Sequence, residues 1–261
     1  MKHAFSLVEL SIVLVILGLL TGGVLTGQSL IRAAELRSIT TDYSSFQTAV
    51  MSFRDRYFAI PGDMPNATDF WGIRAGSGST TGSDETCMAK REEYEGTCNG
   101  NQDGWISPNS TEWPTYPIGE RFLFWQHLSK AGLINGNFTG AYNTGSPTES
   151  LENSPAGKLS GSFWTVTGNT YNPAQYSFTG AKVGTNVFYL RTFGDAYKVL
   201  TPEEAWNIDK KIDDGKPGTG TAYTNRPGWT AMPNCATNDD AATAEYNLSY
   251  SSNACSLLLK F

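Results

Sequence analysis

Proline is missing from the first sixty residues of this 261-residue chain; the first is Pro61. Proline removes a backbone donor and clashes with the preceding turn, so its absence leaves room for one uninterrupted helix. Histidine occurs twice, and the four cysteines include no CxxC pair, which leaves no zinc-site spacing. Charged residues make up 17%, below the usual quarter, and the formal charge is −6 with no run of Lys or Arg. A general nucleic-acid binder, whose affinity rests on a basic surface, is thereby excluded. No second apolar run reaches membrane-spanning length, so a membrane is crossed once. The Gly/Ser/Thr-rich stretch from Ile73 to Gly82 lacks the lysine of a phosphate loop. No nucleophile–base constellation is visible either, so no enzymatic activity is expected.

What is present begins at once. A basic leader, Met1-Lys2-His3-Ala4, is followed by FSLVELSIVLVILGLLTGGVL, an apolar run broken by one acid, Glu9. A carboxylate within such a segment costs roughly 2.5–3.5 kcal/mol to insert, so it calls for a partner charge. Beyond the run, Ile39, Tyr43, Phe46, Val50, Phe53 and Tyr57 recur at alternating spacings of four and three, one apolar stripe on a helix. Arg37, Thr41, Asp42, Ser45, Gln47 and Arg54 lie opposite. The spacing predicts a single helix of roughly 50 residues, about 75–80 Å long. Its first half suits lipid or a filament core, and its second half suits packing on a sheet.

The segment F-S-L-V-E-L after a short basic leader resembles the class III signal of the type IV pilin and type II secretion pseudopilin family. An ordinary secretory signal would place a small-x-small cleavage site after the apolar run, and Thr21-Gly22-Gly23 matches one only weakly. The resemblance covers about the first thirty residues. It implies cleavage by a prepilin peptidase between Ala4 and Phe5, with N-methylation of Phe5; most members carry Gly where Ala4 stands. It assigns Glu9 to assembly, as the carboxylate that meets the N-terminal amine of a neighbouring subunit. Many type IV pilins carry a proline in this part of the helix. Here Gly22-Gly23 either substitutes for it or the helix runs on unbroken, as is more usual of pseudopilins.

The remaining chain reads as one globular head. Pro61-Gly62 and Pro65-Asn66 are turn signals, with Asn66 a candidate cap for a helical turn carrying Phe70 and Trp71. Cys87 and Cys98 bracket ten residues that a disulfide closes readily; Cys235 and Cys255 close the C-terminal region, with crosswise pairing as the alternative. The family resemblance also implies a C-terminal disulfide loop. Asn99-Gly100-Asn101-Gln102-Asp103-Gly104-Trp105-Ile106 matches the first half of a calcium loop. Its candidate ligands are Asn99, Asn101, Asp103, the Trp105 carbonyl position and Glu112, the last standing in for the absent twelfth-place acid. The other reading of this stretch is an Asn/Gly-rich turn beside a disulfide. Gly119 to Ile134 reads as an amphipathic helix with Phe122, Trp125, Leu128 and Leu133 inward and His127 on its surface or half-buried. Ser162–Thr167, Gln175–Thr179 and Asn186–Phe193 read as strands, and Ser256–Phe261 as a final one. Thr201-Pro202-Glu203-Glu204 is a capping box that starts a helix running to Asp214.

The expected fold is α+β: a leader over 1–4, a transmembrane and assembly helix over 5–58, and a pilin-like head with an antiparallel sheet over 59–261. The resemblance implies a structural subunit, a minor pilin or pseudopilin, of a type IV pilus or type II secretion pseudopilus. Its partners would be other pilin subunits, the prepilin peptidase and the inner-membrane assembly platform. It would sit first in the bacterial inner membrane with its head in the periplasm, and then in the filament. No cofactor is required, and calcium is the one ion the sequence admits. The alternative is a filament-tip adhesin, in which Trp71, Trp105, Trp113 and Trp125 with calcium-ordered loops bind sugar or a surface.

Overall fold

A computed structural model describes residues 7–74, 87, 95–106, 119–141, 150–168, 178–181, 184–192, 198–225 and 234–261. Ala4, Phe5, Trp113 and Glu112 lie outside them, as does most of the expected strand at Gln175–Thr179.

Helix α1 runs unbroken over Leu7–Tyr57, 51 residues, with Glu9 in its first turn, where the helix dipole favours an acid. Gly22 and Gly23 do not interrupt it, and a Cβ at either would meet nothing within 4 Å. Hydroxyls in the apolar half bond back to their own helix, as Thr21 Oγ1 to Leu17 O and Thr26 Oγ1 to Gly22 O, both at 2.9 Å. The expected stripe is the docking face: Ile39, Tyr43, Val50 and Phe53 are buried, and Phe46 and Tyr57 partly so. The helix ends where Phe58 turns left-handed at φ 54° while its N–H still reaches Arg54 O. That conformation costs a non-glycine residue about 1–2 kcal/mol.

A short helix, α2 (Ala67–Trp71), follows. Its cap differs from expectation. The Asn66 side chain makes no capping bond, and Asn99 Oδ1 accepts the Thr68 N–H at 2.9 Å instead. Helix α3 (Glu120–Lys130) is buried along nearly its whole length, and left-handed Gly132 follows its end. Strands β1 (Ser162–Gly168) and β2 (Asn186–Thr192) precede helix α4 (Pro202–Ile212), and β3 (Ala222–Thr224) and β4 (Leu257–Lys260) follow it. The capping box at Thr201 and Glu204 forms as read, though α4 stops at Ile212 rather than Asp214.

The four strands make one antiparallel sheet in the order β1-β2-β4-β3. Strand alternation divides it. Trp164, Val166, Phe188, Leu190, Leu257 and Leu259 join α1 and α3 in the main core, while Val187, Tyr189, Tyr223 and Leu258 form a separate cluster. Phe46 is the hinge pin of the main core: its ring lies 5.0 Å from Trp125, 5.6 Å from Trp164 and 5.7 Å from Phe188. Tyr43 Oη donates to the Lys260 carbonyl at 2.7 Å, joining α1 to the last strand. The disulfides are Cys87–Cys98 and Cys235–Cys255, so the crosswise alternative falls.

Candidate functional site

The feature this fold leaves unfinished is the first half of α1. From Leu7 to Ile31 it carries fifteen large apolar side chains, each at least 49% exposed. Twenty-five residues at 1.5 Å span about 37 Å, more than the roughly 30 Å hydrocarbon core of a bilayer. It is the one described helix long and apolar enough to cross a membrane, with a mean hydropathy of 2.4 over eighteen residues and no burial within the chain. Monomers in water do not leave such a surface bare. Glu9 is exposed on this segment, close to its start.

The bare segment stops at Arg32, where the head begins to hold the helix. Arg32 Nε and Nη2 reach the two carboxylate oxygens of Glu204 on α4, at 2.7 and 2.8 Å. Glu204 Oε2 also accepts the Thr201 N–H at 3.0 Å, so one carboxylate caps α4 and clamps α1. Burial alone would raise the Glu204 carboxyl; the Arg32 and Thr201 hydrogen bonds outweigh it and hold the group below its ordinary value.

The calcium-loop stretch is rebuilt by residues from elsewhere. Asn99 is committed to α2 and does not join the cluster of acids. Asn101 Nδ2 donates to Asp103 Oδ2 at 2.9 Å, and Asp103 Oδ1 accepts the Trp105 N–H at 2.8 Å. Asp63 supplies what the sequence did not announce: its two oxygens accept the N–H groups of Asp103 and Gly104, at 3.1 and 3.0 Å. Glu120 Oε1 accepts the Asn101 N–H at 3.2 Å. Oxygens of Asp63, Asp103 and Glu120 lie within 4.8 Å of one another, two of these residues buried and one exposed. Burial pushes the Asp63 carboxyl up and the Asp103 charge adds to it, against the pull of the Gly104, Gln102 and Asp103 N–H groups. Carboxylate oxygens so placed suit a hard cation such as calcium.

His127 is not on a surface; it is fully buried. The Gly62 N–H donates to Nδ1 at 2.9 Å, which places the ring proton on Nε2, facing Thr97 Oγ1 at 3.0 Å and Cys98 O at 3.3 Å. Thr97 in turn donates to Gln126 Oε1 at 2.7 Å. Burial drives the imidazole down to about 3 and keeps it neutral. The ring stacks on Phe53, 6.3 Å away and 6° from parallel. Its role is to knit the Cys87–Cys98 lobe to α3. Arg74 belongs to the same layer: Nη2 donates to the Thr139 carbonyl at 2.9 Å, while Nε and Nη1 find no hydrogen-bond partner among the described residues. Burial lowers this guanidinium to about 10. Nothing in the local sequence marks either residue as buried.

Asp209, Asp213 and Asp214 gather at the end of α4. Asp209 is buried, accepts the Tyr246 hydroxyl at 2.8 Å and is pushed up to about 7, chiefly by burial. Of the tryptophans considered for sugar binding, Trp125 is fully buried and unavailable to a ligand; Trp71 and Trp105 are partly exposed. Comparison of the chain with protein-family models, with curated proteins and with solved structures found no match.

Proposed function

We propose that the chain is a structural subunit, a minor pilin or pseudopilin, that polymerises through α1 into a type IV pilus or type II secretion pseudopilus. The observation that carries this reading is the division of α1 at Arg32. Below it the helix is apolar all round and bare; above it the helix is locked into a head. A helix that exchanges lipid for neighbouring helices needs such a surface, since it must be content in both settings. In this proposal the precursor sits in the inner membrane with the head in the periplasm. The prepilin peptidase cuts between Ala4 and Phe5 and methylates Phe5. Glu9 then finds the N-terminal amine of a neighbour, a charge pair that a permanent membrane span would not supply. Calcium is an accessory of the head, held by Asp63, Asp103 and Glu120, not a requirement of assembly.

The mature protein is therefore expected to begin at an N-methylated Phe5, as mass and N-terminal sequence will show; a start elsewhere removes the proposal. Glu9→Ala is expected to leave membrane insertion intact and to abolish incorporation into filaments. Normal incorporation of that variant would sink the role given to Glu9.

A further inference from the structure

Two surface features of the head remain after this account. The first surrounds the end of α1. Phe58 is 91% exposed on a left-handed backbone, and Met51 beside it is 62% exposed. With Ile60 they wall a cleft of about 440 Å³ rimmed by Arg54 and Asp55. The second is a groove of about 330 Å³ between α1, residues 132–135 just beyond α3 and residues 155–158. Phe46, Leu133, Ile134 and Pro155 make its apolar floor, and Asp42 and Lys158 stand on its rim.

Resting on the filament reading above, we infer that Phe58 of one copy of this chain inserts into the Phe46–Ile134–Pro155 groove of a second copy. Three observations fit together. The charges complement: one face carries Arg54 and Asp55, the other Lys158 and Asp42, whose Oδ2 also accepts the Trp164 indole N–H at 3.2 Å, so that Arg54 would face Asp42 and Asp55 would face Lys158. The faces are opposed: at 100° per residue, Met51, Arg54 and Asp55 point roughly 180° around α1 from Asp42, Ser45 and Phe46. The levels differ: Phe58 lies twelve to sixteen residues beyond the groove's helical wall, roughly 18–24 Å along the axis. A contact between unlike faces is heterologous, and an axial offset prevents it from closing into a ring. Parallel copies so joined form an open-ended array. A stagger of roughly 20 Å still leaves about half of each 37 Å apolar segment beside its neighbour's. An exposed aromatic flanked by charges, with a half-buried apolar groove to receive it, is the composition of an interface anchor.

The test replaces Phe58 with the photoreactive benzoylphenylalanine in the full chain, in membranes where assembly proceeds. Its exposure means that a larger ring disturbs no core contact. Illumination is expected to give a covalent dimer whose joined peptide falls within residues 42–46, 132–135 or 155–158. Asp55→Lys should reduce that product about tenfold, and adding Lys158→Asp should restore it to within about twofold. Total polymer is followed separately by sedimentation. Polymer without this product, or a product on another peptide, on lipid or on a different protein, overturns the contact and leaves the filament reading standing. Exclusion of the unaltered chain from filaments overturns both.

Discussion

At the scale of single residues, two buried groups set opposite responses to pH. His127 has its folded value lowered to about 3 from 6.5. The unfolded chain binds that proton more readily, so stability falls as pH drops from 6.5 towards 3, by up to about 1.4 kcal/mol per unit. Asp209 has its folded value raised to about 7 from 3.8. Its contribution is fully present below 3.8 and is lost as pH rises towards 7. Between pH 4 and 6.5 the two slopes oppose one another. Thermal unfolding of Asp209→Asn across that range is expected to show stability rising with pH, the His127 slope uncovered; a flat profile would contradict the assignment of either group. The same scale holds the calcium question. Calcium at millimolar concentration is expected to raise the unfolding temperature of the unaltered protein by a few degrees and that of Asp103→Asn by much less. An identical response of the two proteins would remove calcium from the loop.

Elements are held by residues with two duties. Glu204 completes the capping box of α4 and takes both nitrogens of Arg32 on α1. Glu204→Ala removes both, and a loss of about 1–3 kcal/mol is expected, the sum of a missing cap and a charge-assisted pair that is partly exposed. Arg32→Lys should recover only part of the clamp, because an ammonium cannot make the paired contact. Denaturant midpoints of the two variants measure this; equal stability of Glu204→Ala and the parent would mean the clamp contributes nothing. Elsewhere the elements follow local rules that the chain announces. The 3–4 spacing of Ile39 through Tyr57 marked the docking face of α1, and Asn186–Thr192 alternates between two cores as a strand must, Phe188 and Leu190 to one and Val187 and Tyr189 to the other.

For the molecule as a whole, the two disulfides close short spans of the head, between residues 11 and 20 positions apart. Cys255 sits between the start of α4 and β4: its carbonyl accepts the Val199 and Leu200 N–H groups, both at 2.9 Å, and its sulfur binds Cys235. A closed span of 20 residues is worth about 3 kcal/mol by chain entropy. A Cys235→Ser, Cys255→Ser pair is therefore expected to lower the stability of the head by about that amount. Hydrogen exchange should rise first at Leu257–Lys260, the strand that bond retains. Protection unchanged there would show that the sheet pairing alone holds β4.

The sequence by itself determined α1 and its division into a bare and a docked half, the capping box of α4, two of the strand positions, the final strand and the short Cys87–Cys98 loop. Each of these depends on residues within a few positions of one another, or on a closure so short that chain entropy favours it. Only the tertiary structure decided the burial of His127, the pairing of Arg32 with Glu204 and the arrival of Asp63 and Glu120 at the Asn101–Asp103 loop. Those partners are separated by 65, 172, 40 and 19 residues. At such distances a side chain's partner depends on how the helices and the sheet settle against each other, and spacing along the chain carries no record of it. The same holds for the groove beside Phe46, whose far wall is brought from Leu133, Ile134 and Pro155.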